Sequence, residues 1–96
     1  MKIDFKNDNG ELTVAIDGRL DTVTAPELEK LLGENYEKAA SITFDCEKLI
    51  YISSAGLRVL LTAHKRMKGA MKLINVCELV MEVLEMTGFA DVWEIV

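Results

Sequence analysis

Residues 41–67, SITFDCEKLIYISSAGLRVLLTAHKRM, change their hydrophobic period partway along. Ile42, Phe44 and Cys46 recur at every second position, the spacing of a strand with one face buried. Leu49 to Ile52 is a second short apolar run, and it leads into Ser53-Ser54-Ala55-Gly56. Beyond the serines, Leu57, Leu60, Leu61 and His64 fall on one helical face with Val59 and Ala63 flanking it, which predicts a helix from Ser54 to Met67 ending near Gly69. A strand feeding an amphipathic helix is half of a crossover unit, so the fold class turns on whether the alternation continues in both directions.

It does. Toward the C-terminus, Met71 to Ile74 reads as a strand, Asn75 as a cap, and Leu79, Val80, Val83 and Leu84 as the inner face of a third helix. Gly88 has the place of a C-terminal cap, and Val92 to Val96 closes the chain as a short strand. Toward the N-terminus, Thr24-Ala25-Pro26-Glu27 has the form of a capping box with proline in the first turn. A helix from Ala25 to Lys38 follows, with Leu28, Leu31, Leu32 and Tyr36 inward. Before it, Ile3 and Phe5, then Leu12, Val14 and Ile16, alternate with polar residues. Asn7-Asp8-Asn9-Gly10 between them suits a tight antiparallel reversal. The order predicts an α/β fold, a mixed sheet of four to five strands packed with three to four helices. Its core is expected to hold Ile16, Leu31, Phe44, Leu57, Leu60, Leu61, Leu73, Val83 and Leu84.

At 96 residues and 50% hydrophobic, the chain suits one core, and residues 1–96 are expected to form a single domain. The net charge of −5 argues against nucleic acid as a partner, because phosphate backbones are bound by clustered Lys and Arg. The one basic cluster, His64, Lys65, Arg66 and Lys68, sits where it complements the negative end of a helix dipole. No run approaches the ~20 apolar residues of a membrane span, and no charged leader precedes an apolar stretch, so no membrane association and a cytoplasmic location are expected. Cys46 and Cys77 form no CxxC pair and have no histidine cluster nearby; they read as reduced thiols, and nothing calls for a metal or other cofactor.

An enzyme reading would take Ser54 or Cys46 as nucleophile and His64 as base. Ten helical residues separate Ser54 from His64, roughly 15 Å of backbone, and there is no other histidine and no Gly-x-Ser-x-Gly elbow. No catalytic residue is assigned. The serine pair itself has two readings: a helix N-cap, or a phosphorylation site where free backbone N–H groups and the helix dipole favour an added anion.

With Ile16-Asp17-Gly18-Arg19-Leu20-Asp21, Phe44-Asp45, Tyr51-Ile52-Ser53-Ser54-Ala55-Gly56-Leu57, and Asn75 through Val83, Leu84, Thr87 and Gly88, the chain resembles the STAS family over nearly its whole length. The family is named for its sulfate transporter and anti-sigma factor antagonist members. In family antagonists the phosphorylated serine lies two positions before the motif glycine, which is Ser54 here. An Asp often stands where this chain has Ser53, leaving Ser53 as a competing hydroxyl, and many members have Ser at the place of Ala55. The resemblance implies an anti-sigma factor with serine kinase activity as partner and a serine phosphatase that resets the cycle. It also implies a binding surface of Asp21, Thr22, Ser53, Ser54, Ala55 and Gly56. Asp21 reads equally as a capping acid, and Asp45 as a loop anchor. The alternative function is a STAS-like scaffold or ligand-sensing module of a bacterial signalling complex that is never phosphorylated.

Overall fold

Strand β2, Glu11–Leu20, is the hub of the sheet, because its ten residues are shared among three neighbours. The computed structural model describes all 96 residues. Strand β1, Lys2–Asp8, pairs antiparallel with β2 in continuous register from Lys2–Asp17 to Asp8–Glu11. Two residues close that hairpin, and both have positive φ, Asn9 at 53° and Gly10 at 93°. A type I′ turn demands this of its central pair, which Asn-Gly tolerates best. The Asn7 carboxamide braces the turn, accepting from the Gly10 N–H at 2.8 Å and donating to the Lys38 carbonyl at 3.1 Å.

The first half of β2 pairs in parallel with β3, Ser41–Asp45, from Glu11–Ser41 to Ala15–Asp45. Beyond Ala15, β2 leaves β3 for a sixth strand, Leu49–Ile52, here β4, and within that pairing the register shifts between Gly18 and Arg19. The expected four or five strands are therefore six: the short apolar run ahead of the serines is itself a strand. Gly18 permits the departure with φ of 110°, and its N–H is held by the Lys48 carbonyl at 2.9 Å. Strand β5, Met71–Ile74, lies parallel to β3, and β6, Glu94–Ile95, parallel to β5. The sheet order is β1-β2-β3-β5-β6, with β4 beside β2 alone.

The helices are α1, Ala25–Asn35; α2, Ser54–Arg66; and α3, Glu78–Thr87. Residues 36–38 and 89–91 tighten into 3₁₀ turns, so α1 stops before Lys38 and β6 keeps only two residues of the expected last strand. One sheet face is buried. Leu12, Val14 and Ile16 of β2, Ile42 and Phe44 of β3, and Met71 and Leu73 of β5 meet the helices there, while Thr13, Asp17 and Lys72 face solvent. The core holds no polar or charged side chain.

Three expected core residues sit at its margin: Leu31, Leu61 and Val83 are half-buried. On α1 the buried line is Ala25, Leu28 and Leu32, and on α2 it is Gly56, Leu57, Val59, Leu60 and Ala63. Each stripe is turned slightly from the one that leucine spacing alone suggests. Trp93 joins the core instead, stacked on Phe89 with ring centroids 4.4 Å apart. No helix is long and apolar enough to cross a membrane.

Candidate functional site: the turn from β4 into α2

The serine turn is set by how β4 ends against β2. Arg19 pairs with Tyr51 and Leu20 with Ile52, and the Ser53 N–H then donates to the Leu20 carbonyl at 2.9 Å. That last bond joins the start of α2 to the residue just before Asp21. The loop 21–24 and the serine turn are therefore neighbours, as a shared binding surface requires.

Ser53 has the extended backbone of a helix N-cap, φ −102° and ψ 177°, and its carbonyl takes the Leu57 N–H at 2.9 Å. Its side chain does not cap. The Ser53 Oγ is buried and has no hydrogen-bond partner. Ser54, the first residue of α2, is exposed. The two hydroxyls that compete on paper are thus unequal in space: one is shut in and the other faces solvent.

Gly56 is buried, so it offers no surface of its own to a partner. A Cβ there would lie 2.8 Å from Leu20 Cγ, 2.9 Å from Ile52 Cγ1 and 2.9 Å from the Leu20 carbonyl oxygen. The glycine lets α2 start directly against the end of β2, which fixes where Ser54 emerges. Ala55 is half-buried. It lines a shallow cleft of about 150 Å³ together with Thr22, Ala25, Pro26, Glu29, Arg58 and Val59, between α1 and α2.

The capping box expected at Thr24 and Glu27 is not formed, since Thr24 makes no side-chain cap. Its hydroxyl turns back toward β2, with the Arg19 carbonyl at 2.7 Å, and accepts the Asp21 N–H at 2.9 Å. Asp21 instead orders the turn ahead of α1: its Oδ1 accepts from the N–H groups of Val23 at 3.0 Å and Thr24 at 3.1 Å. The Thr24 bond is the main reason that its carboxyl is held below the usual range; desolvation opposes, and Val23 and the Arg19 charge assist. Arg19 lies 3.8 Å from Asp21 Oδ2 through Nε and stacks over the Tyr51 ring at 4.1 Å. Arg19 and Tyr51, which stand in the quoted motifs but were assigned no role there, are also parts of this surface. Their facing positions at the end of β2 and on β4 become visible only once β4 is known to be a strand.

Asp45 is a loop anchor. Its Oδ1 accepts from the Glu47 N–H and from the Asn75 side chain, both at 3.1 Å. Asn75 is thereby diverted from the capping role expected of it: it adopts φ of 56°, and Cys77 holds the N-cap position of α3 without a side-chain bond. Cys46 and Cys77 are free thiols. Burial pushes the Cys46 thiol up to about 12, with Asp45 and Cys77 adding to the effect. His64 is half-buried on α2, ten residues along from Ser54.

The STAS domain model matches residues 2–96. The chain belongs to the STAS domain family. Among curated relatives, this STAS domain is 32% identical to BtrV of Bordetella bronchiseptica, a protein provisionally named an anti-sigma factor antagonist, over 99% of this chain and 85% of that one. It is 29% identical to the anti-sigma-B factor antagonist of Bacillus subtilis, over 99% and 90% of the two chains. The phosphorylated form of the Bacillus cell fate determinant SpoIIAA has the same fold, with a TM-score of 0.77 at 13% identity over 99% of this chain and 91% of SpoIIAA.

Proposed function

We propose that this STAS domain is an anti-sigma factor antagonist switched by phosphorylation of Ser54. In the unphosphorylated state it binds an anti-sigma factor that is also a serine kinase, through Asp21, Thr22, Ser54 and Ala55, and the sigma factor is released. The kinase moves the γ-phosphoryl group of ATP to Ser54: a bond forms from Oγ to phosphorus, the bond to the β-phosphate oxygen breaks, ADP leaves, and the hydroxyl proton goes to a base of the kinase. The added charge of about −1.5 to −2, with its hydration, opposes an interface that must exclude water. A serine phosphatase hydrolyses the ester and resets the cycle.

The observation that carries this reading is the inequality of the two serines. A kinase must reach the hydroxyl, and Ser54 is exposed where Ser53 Oγ is sealed. The names of the two relatives and the phosphorylated SpoIIAA fold support it.

The test is partner capture with three variants. Ser54→Ala is expected to bind the anti-sigma partner and resist its kinase. Ser54→Asp is expected to bind poorly, since it places a carboxylate where the phosphate would stand. Ser53→Ala should still be phosphorylated and should lose little stability, because the hydroxyl it removes has no partner. Phosphate found on Ser53 alone would take the switch off Ser54, and tight binding by Ser54→Asp would leave the unphosphorylated scaffold as the better reading.

A further inference from the structure

The chain has three arginines, and two of them are engaged. Arg19 stacks on Tyr51 beside Asp21, and Arg66 stacks on Tyr36 at 4.5 Å. Arg58 has neither a carboxylate nor an aromatic partner, since the one ion pair in the structure is Arg19–Asp21. It is exposed on α2, lining the cleft with Thr22, Glu29 and Ala55. Glu29 shares that cleft, yet its carboxylate does not come within ion-pair distance of the guanidinium. Arg58 stands four residues after Ser54, and side chains at that spacing lie one above the other on the same side of a helix.

We infer that Arg58 is a built-in clamp for the phosphate on Ser54. The inference rests on the reading of Ser54 as the phosphorylated residue and adds what the phosphate does next. A guanidinium matches two phosphate oxygens with parallel N–H donors, and such charge-assisted pairs exceed neutral hydrogen bonds in strength. The other charged groups around the turn offer no rival cation: Asp21 and Glu29 are anions, and Arg19 is held between Tyr51 and Asp21. The clamped phosphate lies along α2 toward Ala55 and the cleft mouth. It also stays more fully ionised. A phosphoserine loses its second proton near pH 6, so an unassisted one is still partly monoanionic close to neutrality, and a facing guanidinium favours the dianion. The clamp therefore brings the charge that repels the partner close to its full value.

The test needs no kinase. Phosphoserine is installed at position 54 of the full chain by genetic encoding, and its ³¹P shift is followed against pH at low salt in wild type, Arg58→Gln and Lys65→Gln. The wild-type midpoint is expected to lie at least about half a unit below that of Arg58→Gln. Lys65→Gln removes the same charge three turns along the helix and should stay with wild type. A smaller difference for Arg58→Gln, or an equal one for Lys65→Gln, would overturn the clamp. Failure of the kinase to modify Ser54 sinks the switch and leaves the clamp standing; a flat Arg58→Gln comparison does the reverse.

Discussion

Adding one methyl group at Gly56 tests whether this glycine sets the position of the serine turn. In a helix interior, Gly→Ala ordinarily gains about 1 kcal/mol through the backbone entropy that glycine loses on folding. At Gly56 the new Cβ would sit 2.8–2.9 Å from two side-chain carbons and from the carbonyl oxygen of Leu20. Leu20 and Ile52 are themselves buried, with 0% and 2% exposure, so neither can swing aside freely, and the carbonyl belongs to the strand. Overpacking of this kind costs about 1–3 kcal/mol. Set against the propensity gain, the net expectation for Gly56→Ala is a loss of up to about 2 kcal/mol, with α2 displaced from the end of β2. Gly33 supplies the matched control. It is exposed on α1, and a Cβ there meets nothing within 4 Å, so Gly33→Ala should stabilise by about 0.5–1 kcal/mol. Urea unfolding of both variants reads the sign directly. If Gly56→Ala were as stable as Gly33→Ala, the close approach of α2 to β2 would not be what places Ser54.

Two further predictions concern titrating groups. Cys46 is wholly buried with its thiol pushed up to about 12, while Cys77 is partly exposed, so iodoacetamide at mildly alkaline pH should label Cys77 first and Cys46 only on unfolding. Equal labelling rates in the folded protein, read by mass spectrometry, would contradict this. Because folding raises the Cys46 value, its contribution is complete below the unfolded thiol pKa and is lost as pH rises from there toward about 12. Asp21 has the opposite sign. Its folded value is depressed, chiefly by the Thr24 N–H, so its contribution is present above the unfolded carboxylate range and is lost as pH falls through the folded one. The stability gap between wild type and Asp21→Asn should therefore narrow in acid, and a gap independent of pH would mean that the charge is not what the turn holds.

The alternation of strands and helices was readable because each period reports directly on a buried face, and β2, β3, α2 and β5 emerge close to their expected bounds. What the periods could not convey was the departure of β2 from β3. That depends on Gly18 adopting positive φ and on Leu49–Ile52 finding the freed edge, a pairing between distant residues that no local pattern encodes. The errors around the turns have one form. Thr24 and Asn75 carry the residue types of helix caps, but each side chain is drawn to a partner made available by tertiary contact, the Arg19 carbonyl in one case and Asp45 in the other. The serine pair was located by sequence, whereas the burial of one hydroxyl and the exposure of its neighbour had to be seen.

That division of roles would let the proposed phosphorylation of Ser54 act without refolding the domain. The groups that order the turn lie beneath it or to its side: Gly56 against Leu20, the Ser53 N–H on the Leu20 carbonyl, and Asp21 on the N–H groups of Val23 and Thr24. None of these contacts uses the Ser54 hydroxyl. A phosphate there can change the charge of the surface while the bonds that shape it stay in place, and the start of a helix is where an added anion is best tolerated. In the proposed switch, the phosphate therefore acts on the partner's side of the interface, through repulsion and desolvation, and not through any loss of fold on this side. Phosphorylation at Ser53 would work differently, since its enclosed oxygen would first have to be brought to the surface. The proposed cycle, which has to be reversible and leave a folded protein, is better served by the exposed serine.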